Sequence, residues 1–112
     1  MAEDCLFCRI IAGEVASERL HETDDAVVIR DAHPQAPVHL LVLPREHVAT
    51  LNDAPPHLVA ALYAAAKEVA QKSGFADTGY RTVINVHQQG GQTVWHLHLH
   101  VLAGRAMRWP PG

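Results

Sequence analysis

The segment WHLHLHV, residues 95–101, constrains the fold most, because histidine recurs in it at every second position. Alternate side chains of a β-strand point to opposite faces, so His96, His98 and His100 share one face of the strand predicted here. The leucine and valine residues between them share the other face and can pack beneath a helix. The chain therefore needs a sheet that carries a helix on one face and a row of imidazole rings on the other.

Apolar periodicity and turn residues predict the remaining elements. A long helix begins near a cap at Asn52 or Asp53 and runs to about Ser73, where Gly74 ends it. Short connections between strands favour antiparallel pairing. The predicted fold class is α+β: one domain over 1–112 with an antiparallel five-stranded sheet, one long helix and a short N-terminal helix. The short helix is predicted over 6–14, the strands over 19–22, 26–31, 38–44, 80–86 and 94–102, and a turn over 87–93.

The composition excludes several classes of function. Hydrophobic residues make up 48% of the 112 residues, which is enough for a core, and the formal net charge is −3. A dedicated nucleic-acid-binding protein would normally carry a basic face. The longest apolar run, at 58–66, is too short to cross a bilayer, and the N-terminal segment has acids where a signal peptide needs basic residues. We expect a cytoplasmic protein with no membrane partner and no dedicated nucleic-acid binding.

Three imidazoles in register indicate chemistry at this strand. Histidine titrates near neutral pH and can serve as nucleophile, base, acid or metal ligand. A half-exposed strand with solvated histidines is the plain alternative. A metal centre is another, but no Asp or Glu follows Asp77, so a carboxylate ligand would have to come from residues 3–77.

The loop GGQT, residues 90–93, precedes the histidines and offers hydrogen-bond donors. Gly90 and Gly91 allow the backbone to approach an anion, while Gln92 and Thr93 add an amide and a hydroxyl. Asn85, at the end of the previous predicted strand, adds another amide. Donors beside a row of histidines suit a phosphate whose phosphorus is attacked by an imidazole, although a Gly-Gly turn alone is more often a hairpin loop.

Cys5 and Cys8 form a single C-x-x-C pair. One pair is not a disulfide framework, and a redox pair of the thioredoxin type should follow a strand, for which the preceding segment is too short. The residues alone leave three alternatives, which are a redox pair, half of a zinc site, or two buried thiols.

HLHLHVL at 96–102 resembles the motif of the histidine triad family. The segments DAHPQAPVHLLVLPREH at 31–47, YRTVINV at 80–86, GGQTVWHLHLHVLAGR at 90–105 and the terminal RWPPG are similar to its Hint branch. The resemblance covers nearly the whole chain and implies a fold like that of the family. It also implies a purine nucleoside phosphoramidase, which hydrolyses the P–N bond of adenosine or guanosine 5′-phosphoramidates and also accepts acyl-adenylates.

The same resemblance assigns catalytic roles. His98 would attack the α-phosphorus and become nucleotidylated, and His39 would hydrogen-bond His98 and orient it. His100 would contact the phosphate and the leaving group. Thr93 would stand near the leaving nitrogen, where the family usually has serine. No cofactor would be required for this chemistry.

The resemblance also implies how the purine nucleoside monophosphate conjugate, with AMP or GMP, is held. The backbone of Gly91, Gln92 and Thr93 would bind phosphate oxygens, and the chain would form a homodimer whose sheets join. His87 stands where the family commonly has glycine, which puts the preference for the leaving group in doubt. The other expected contacts are Asn85 to the phosphate, Asp31 to the ribose, Ile29 and Val15 to the purine, and Trp109 to the partner's site.

Many relatives bind a structural zinc ion through two cysteines and two histidines, and here the resemblance names Cys5, Cys8, His47 and His96. The alternative is that both thiols simply pack in the first helix. For function, the alternative to a hydrolase is a dimeric module that binds purine nucleotides in a regulatory or scaffolding role with little catalysis. A metal-dependent enzyme that uses the triad as ligands is the third hypothesis.

Overall fold

A computed structural model describes residues 4–112 and contains one five-stranded sheet in the order β1-β2-β3-β5-β4. All neighbouring strands are antiparallel, and one long helix packs on the sheet, so the predicted fold class is confirmed. The elements are α1 Leu6–Ile11, β1 Arg19–Glu22, β2 Ala26–Arg30, β3 Val38–Pro44, a 3₁₀ turn Leu51–Asp53, α2 Pro56–Lys72, β4 Tyr80–Val83, α3 His87–Gly90 and β5 Leu99–Ala103.

The core lies on both faces of the sheet. On one face, α2 packs against β2, β3 and β5 through residues that include Leu62, Leu40 and Val101, each fully buried. On the other face, Phe7 and Ile10 of α1 pack against alternate residues of β2 and β3. The face that carries the histidines is therefore partly covered by α1, and this is why β3 is apolar almost throughout.

The last strand is shorter than predicted, because it begins at Leu99 and not at residue 94. Leu99 pairs with Val42, and only Leu43 and Pro44 of β3 lie beyond that pair, so residues 94–96 have no strand to pair with. Leu97 instead donates its N–H to the carbonyl of Val48, at 2.8 Å. His96 and His98 thus lie before the strand, and both are buried.

Other boundaries also differ from the prediction. The short helix ends at Ile11 and not at residue 14, and the second strand ends at Arg30. The capping residue of α2 is Pro55, and neither Asn52 nor Asp53 caps it; Thr50 accepts the Asn52 N–H and caps the 3₁₀ turn instead. The strand predicted over 80–86 ends at Val83, and the predicted turn at 87–93 contains the short helix α3. No helix within residues 4–112 is long and apolar enough to cross a bilayer, and the cytoplasmic location stays a prediction.

Candidate functional site

A cavity of about 780 Å³ opens beside α1 and the ends of β2 and β5. Leu6, Phe7 and Ile10 of α1 contribute part of its apolar wall. The cavity brings together residues that lie far apart in the chain and that the sequence assigns to one site. These are Val15, Ile29, Asp31, Asn85, Gly91, Thr93, His98 and His100.

The ring of His98 has one nitrogen engaged and one free for reaction. Its Nδ1 lies 2.8 Å from the carbonyl oxygen of His96, and because a carbonyl only accepts, Nδ1 carries the proton and donates. In the neutral ring, Nε2 then keeps its lone pair. The ring of Phe7 stands nearly perpendicular to that of His98, with centroids 5.1 Å apart. The fold therefore supplies a fixed imidazole with a nucleophilic nitrogen at the cavity.

His39 contacts His100, whereas the sequence analysis expected it to orient His98. The N–H of Gln35 donates to His39 Nδ1 at 2.9 Å, so in the neutral ring the proton of His39 lies on Nε2. That Nε2 is 2.9 Å from Nδ1 of His100 and 3.3 Å from Asp31 Oδ2. His100 accepts at Nδ1 and must therefore carry its own proton on Nε2. The expected partner of the nucleophile was wrong, because the carbonyl of His96 orients it.

Burial keeps the rings of His39 and His100 neutral. Desolvation, together with the neighbouring His98 and His39, lowers the pKa of His100 to about 4 against the opposing effect of Asp31. Desolvation also lowers the pKa of His39, again against the effect of Asp31. At neutral pH, His100 therefore offers an N–H donor and not a positive charge.

The lowered pKa of His100 makes stability depend on pH. Its ordinary value is 6.5 and its value in the folded chain is about 4, so the unfolded chain binds more protons between these limits. The contribution of the buried, neutral His100 ring to folding stability is intact above pH 6.5 and is lost as the pH falls towards 4. After allowance for partial solvent screening, we expect a loss of about 1–2 kcal/mol. Denaturant unfolding of the wild type and of His100→Gln at pH 7, 5.5 and 4 measures it, and equal pH slopes in the two proteins would contradict it.

Two groups of residues among those described could hold a metal ion by proximity, and the first is Asp31, His39 and His100. A histidine ligand must offer an unprotonated nitrogen. His39 Nε2 carries a proton for as long as Gln35 donates to Nδ1, so this nitrogen is a donor and not a ligand. The hydrogen bonds therefore favour acid–base chemistry over a metal centre at the triad.

The second group is Cys5, Cys8, His47 and His96, whose ligand atoms all lie within 4.8 Å of one another. Tetrahedral zinc needs roughly 3.3 Å between two nitrogens and roughly 3.6 Å between nitrogen and sulfur. The two Nδ1 atoms are 3.1 Å apart, and each lies 3.2 to 3.5 Å from a cysteine sulfur. The donor atoms therefore already have nearly the spacing of a closed zinc site.

The proton position on His96 also suits a cation, whereas the Cys8 thiol would have to lose its proton on binding one. His96 donates from Nε2 to the carbonyl of Pro44 at 2.9 Å, so its Nδ1 lone pair faces the sulfurs. Burial lowers the pKa of His96 to about 4. Burial, together with Cys5, raises the pKa of the Cys8 thiol to about 11. His96 thus contributes twice, through its ring to the cluster and through its carbonyl to His98.

The loop before the histidines has fewer unengaged backbone N–H groups than the sequence predicts. The N–H groups of Gly91 and Gln92 donate to carbonyls of Gln88 and His87, both at 3.0 Å. The side-chain amide of Gln92 donates to the carbonyls of Ala49 and Val94. The N–H groups of Gly91 and Gln92 are thus engaged at the end of α3, and their roles as donors to a phosphate stay a prediction. The backbone N–H of Thr93 remains available as a donor, since within residues 4–112 no backbone carbonyl accepts it.

His87 and Trp109 do not line the cavity. His87 has a φ of 57°, in the left-handed region, and its ring lies against that of Trp95 with centroids 5.3 Å apart. A non-glycine residue in this conformation costs on the order of 1 kcal/mol, yet its side chain points elsewhere. Trp109 is 82% exposed, so the single chain does not bring it to the site.

Sequence reasoning missed the contributions of Phe7 and Gln35. Phe7 was visible only as part of an apolar helix, and nothing in that pattern indicated contact with a histidine 91 positions later in the chain. Gln35 acts through its backbone N–H, which every residue except proline carries, so no signal in the sequence could have identified it.

Comparisons with known proteins find chains and solved structures that are similar to this one over most of their length. The protein-family model of the HIT (histidine triad) domain matches residues 12–107. The purine nucleoside phosphoramidase of Escherichia coli is 37% identical over 96% of this chain and 92% of its own. A crystal structure of a HIT family hydrolase from Legionella pneumophila superposes with a TM-score of 0.93 at 46% identity, covering 97% of this chain and 100% of that one. A zinc-bound histidine triad family protein from Mycobacterium smegmatis gives a TM-score of 0.85 at 34% identity, covering 94% and 78%.

Proposed function

The chain belongs to the HIT domain family, and on that premise we propose that it is a single-domain purine nucleoside phosphoramidase. The observation that carries the proposal is the free Nε2 of His98 at a cavity that also holds Asp31, Asn85 and Thr93. The substrate is a nucleoside 5′-phosphoramidate of adenosine or guanosine, and acyl-adenylates are the related class. The products are a nucleoside monophosphate and an amine.

In the first step, His98 Nε2 attacks the α-phosphorus as the P–N bond breaks. The His98 proton stays on Nδ1, where the carbonyl of His96 holds it. His100 donates from Nε2 to a phosphate oxygen, which stabilises the charge that spreads over the oxygens. The Thr93 hydroxyl relays a proton from solvent to the departing nitrogen, so that a neutral amine leaves.

In the second step, water attacks the same phosphorus and the bond to His98 breaks. The water gives up a proton to solvent, which returns the proton that the leaving amine took in the first step, and His98 recovers the lone pair on Nε2. Two displacements at one phosphorus replace a single difficult attack by water, which is the advantage of a covalent intermediate.

The nucleoside is held by the apolar and polar parts of the cavity. Val15 and Ile29 pack on the purine, and the Asp31 carboxylate accepts from the ribose hydroxyls. Asp31 Oδ1 already accepts the N–H of His33 at 2.8 Å, so the carboxylate is held in place before the ribose arrives. Asn85 and the Thr93 N–H donate to phosphate oxygens.

Cys5, Cys8, His47 and His96 hold a structural zinc ion in this proposal, supported by the spacing of their donor atoms. Four protein ligands leave no open position, so the ion supplies folding energy and not chemistry. It would fix α1, whose Phe7 contacts His98, against the segment that carries the triad.

We also propose that two copies associate through β4. This strand stands at one end of the sheet, so its outer edge can pair with another copy and extend the sheet. Trp109, on the exposed tail that follows β5, would then reach the partner's cavity.

The proposal is tested by incubating the chain with adenosine 5′-phosphoramidate and with an AMP–lysine conjugate. We expect release of AMP, and acid-stopped samples should carry one nucleotide mass on the peptide that contains residues 94–105. Nucleotide binding without turnover for any leaving group would contradict a hydrolase and would favour the regulatory module.

A further inference from the structure

The loop of residues 33–37, between β2 and β3, is clamped against the segment that follows β5. Gly104 has a φ of 92°, and a Cβ on it would lie 2.8 Å from Cβ of Pro37, so the two segments touch where only glycine fits. Beside this contact, the guanidinium of Arg105 donates to the carbonyl of Gln35 from Nε at 3.2 Å and from Nη2 at 3.1 Å. Two bonds from a planar group to one oxygen fix the position of that carbonyl.

The N–H of Gln35 flanks the same Cα as this carbonyl and donates to His39 Nδ1. Fixing the carbonyl therefore restricts the direction of the N–H, since only the φ and ψ dihedrals of Gln35 separate the two groups. From there the hydrogen bonds continue through His39 Nε2 to His100 Nδ1. An uninterrupted series thus runs from an exposed arginine to a ring that lines the cavity.

We propose that Arg105 is a positioning residue, which holds Gln35 so that its N–H keeps the protons of His39 and His100 on their Nε2 atoms. Without that N–H, His39 could carry its proton on Nδ1 and accept at Nε2. His100 would then donate from Nδ1 and turn an Nε2 lone pair towards the cavity, where it would repel a phosphate oxygen. The part of this inference that concerns catalysis rests on the proposed function.

Two variants interrupt the series at different points. Arg105→Gln removes the guanidinium, and Gln35→Pro removes the N–H while keeping the carbonyl. Side-chain ¹⁵N spectra near pH 7.5 should show the Nε2-protonated form alone for His39 and His100 in the wild type, and mixed forms in both variants. With adenosine 5′-phosphoramidate, kcat should fall about tenfold while KM changes less than about threefold, since the contacts to the nucleoside remain and the charge on the phosphate oxygens is greatest in the transition state.

Matched variants separate positioning from a general loss of structure. Gln35→Ala removes the side-chain amide but keeps the N–H, so it should retain the single form of both rings. Arg45→Gln removes another bond from a guanidinium to a backbone carbonyl, that from Nε to Thr23 at 3.0 Å, and it should leave both rings and kcat unchanged. If Gln35→Pro does not fold, the spectra and the kcat of Arg105→Gln alone decide whether the inference holds.

The inference is overturned if Arg105→Gln leaves both rings in the single form, or if Arg45→Gln lowers kcat as much as Arg105→Gln does. The spectra need no substrate, so they decide the positioning role even if the chain hydrolyses no phosphoramidate. A wild type with the expected ring forms and no turnover would overturn the proposed function alone.

Discussion

Replacing His98 by asparagine should abolish turnover of adenosine 5′-phosphoramidate, with a loss of at least about 10³-fold in kcat. Asparagine can still donate to the carbonyl of His96, the bond that holds the ring in the wild type. It offers no imidazole lone pair for attack on phosphorus. The measurement is AMP release, together with the mass of the 94–105 peptide after acid quenching, and no nucleotide should be attached to it.

The control for this substitution is His57→Asn, which changes an exposed histidine at the start of α2. It should retain the activity of the wild type. Circular dichroism and thermal unfolding establish that His98→Asn is folded. A folded His98→Asn that releases AMP at a rate within tenfold of the wild type would refute the covalent mechanism, as would nucleotide mass on a different peptide.

The double substitution Cys5→Ser and Cys8→Ser should remove bound zinc and cause a large loss of folding stability. Metal that binds only the folded chain adds about 4 kcal/mol when its free concentration is 1,000 times the dissociation constant. For a chain of this length we expect the midpoint of thermal unfolding to fall by roughly 10–15 °C. Elemental analysis should find one zinc ion per wild-type chain and none in the variant.

A chelator distinguishes loss of metal from loss of packing. It should destabilise the wild type and His57→Asn alike but leave the double variant unchanged, since the variant has no ion to lose. A wild type that contains no metal, and whose unfolding midpoint responds neither to the chelator nor to added zinc, would show that the cluster is only a pair of packed thiols beside two histidines.

The sequence predicted best the elements that are determined by their own residues. The runs at 19–22 and 38–44 form strands with those bounds, because β-rich residues end at turn residues or at a proline. The last strand was predicted too long, because its start depends on where β3 ends, at Pro44. The alternation of residue types along one segment cannot reveal where the strand that pairs with it ends.

Many residues that the sequence assigned to one site lie together at the cavity, but some of their contacts differ from those expected. The cavity does gather His98, His100, Thr93 and Asp31. The contact of His39 was assigned to the wrong ring, because register and ring orientation decide it. The N–H groups of the glycine loop were expected to be free, but the single turn of α3 engages them, and a loop of this composition did not indicate a helix.

The proton positions on the histidines of this site are determined by main-chain groups. The carbonyl of His96 acts on His98, the carbonyl of Pro44 on His96, and the N–H of Gln35 on His39. Almost any amino acid at positions 35 and 44 would present the same atoms, with proline at 35 as the exception. Substitutions at these two positions can leave the proton positions of His39 and His96 unchanged, and an alanine scan, which keeps the main chain, would overlook the groups that determine them.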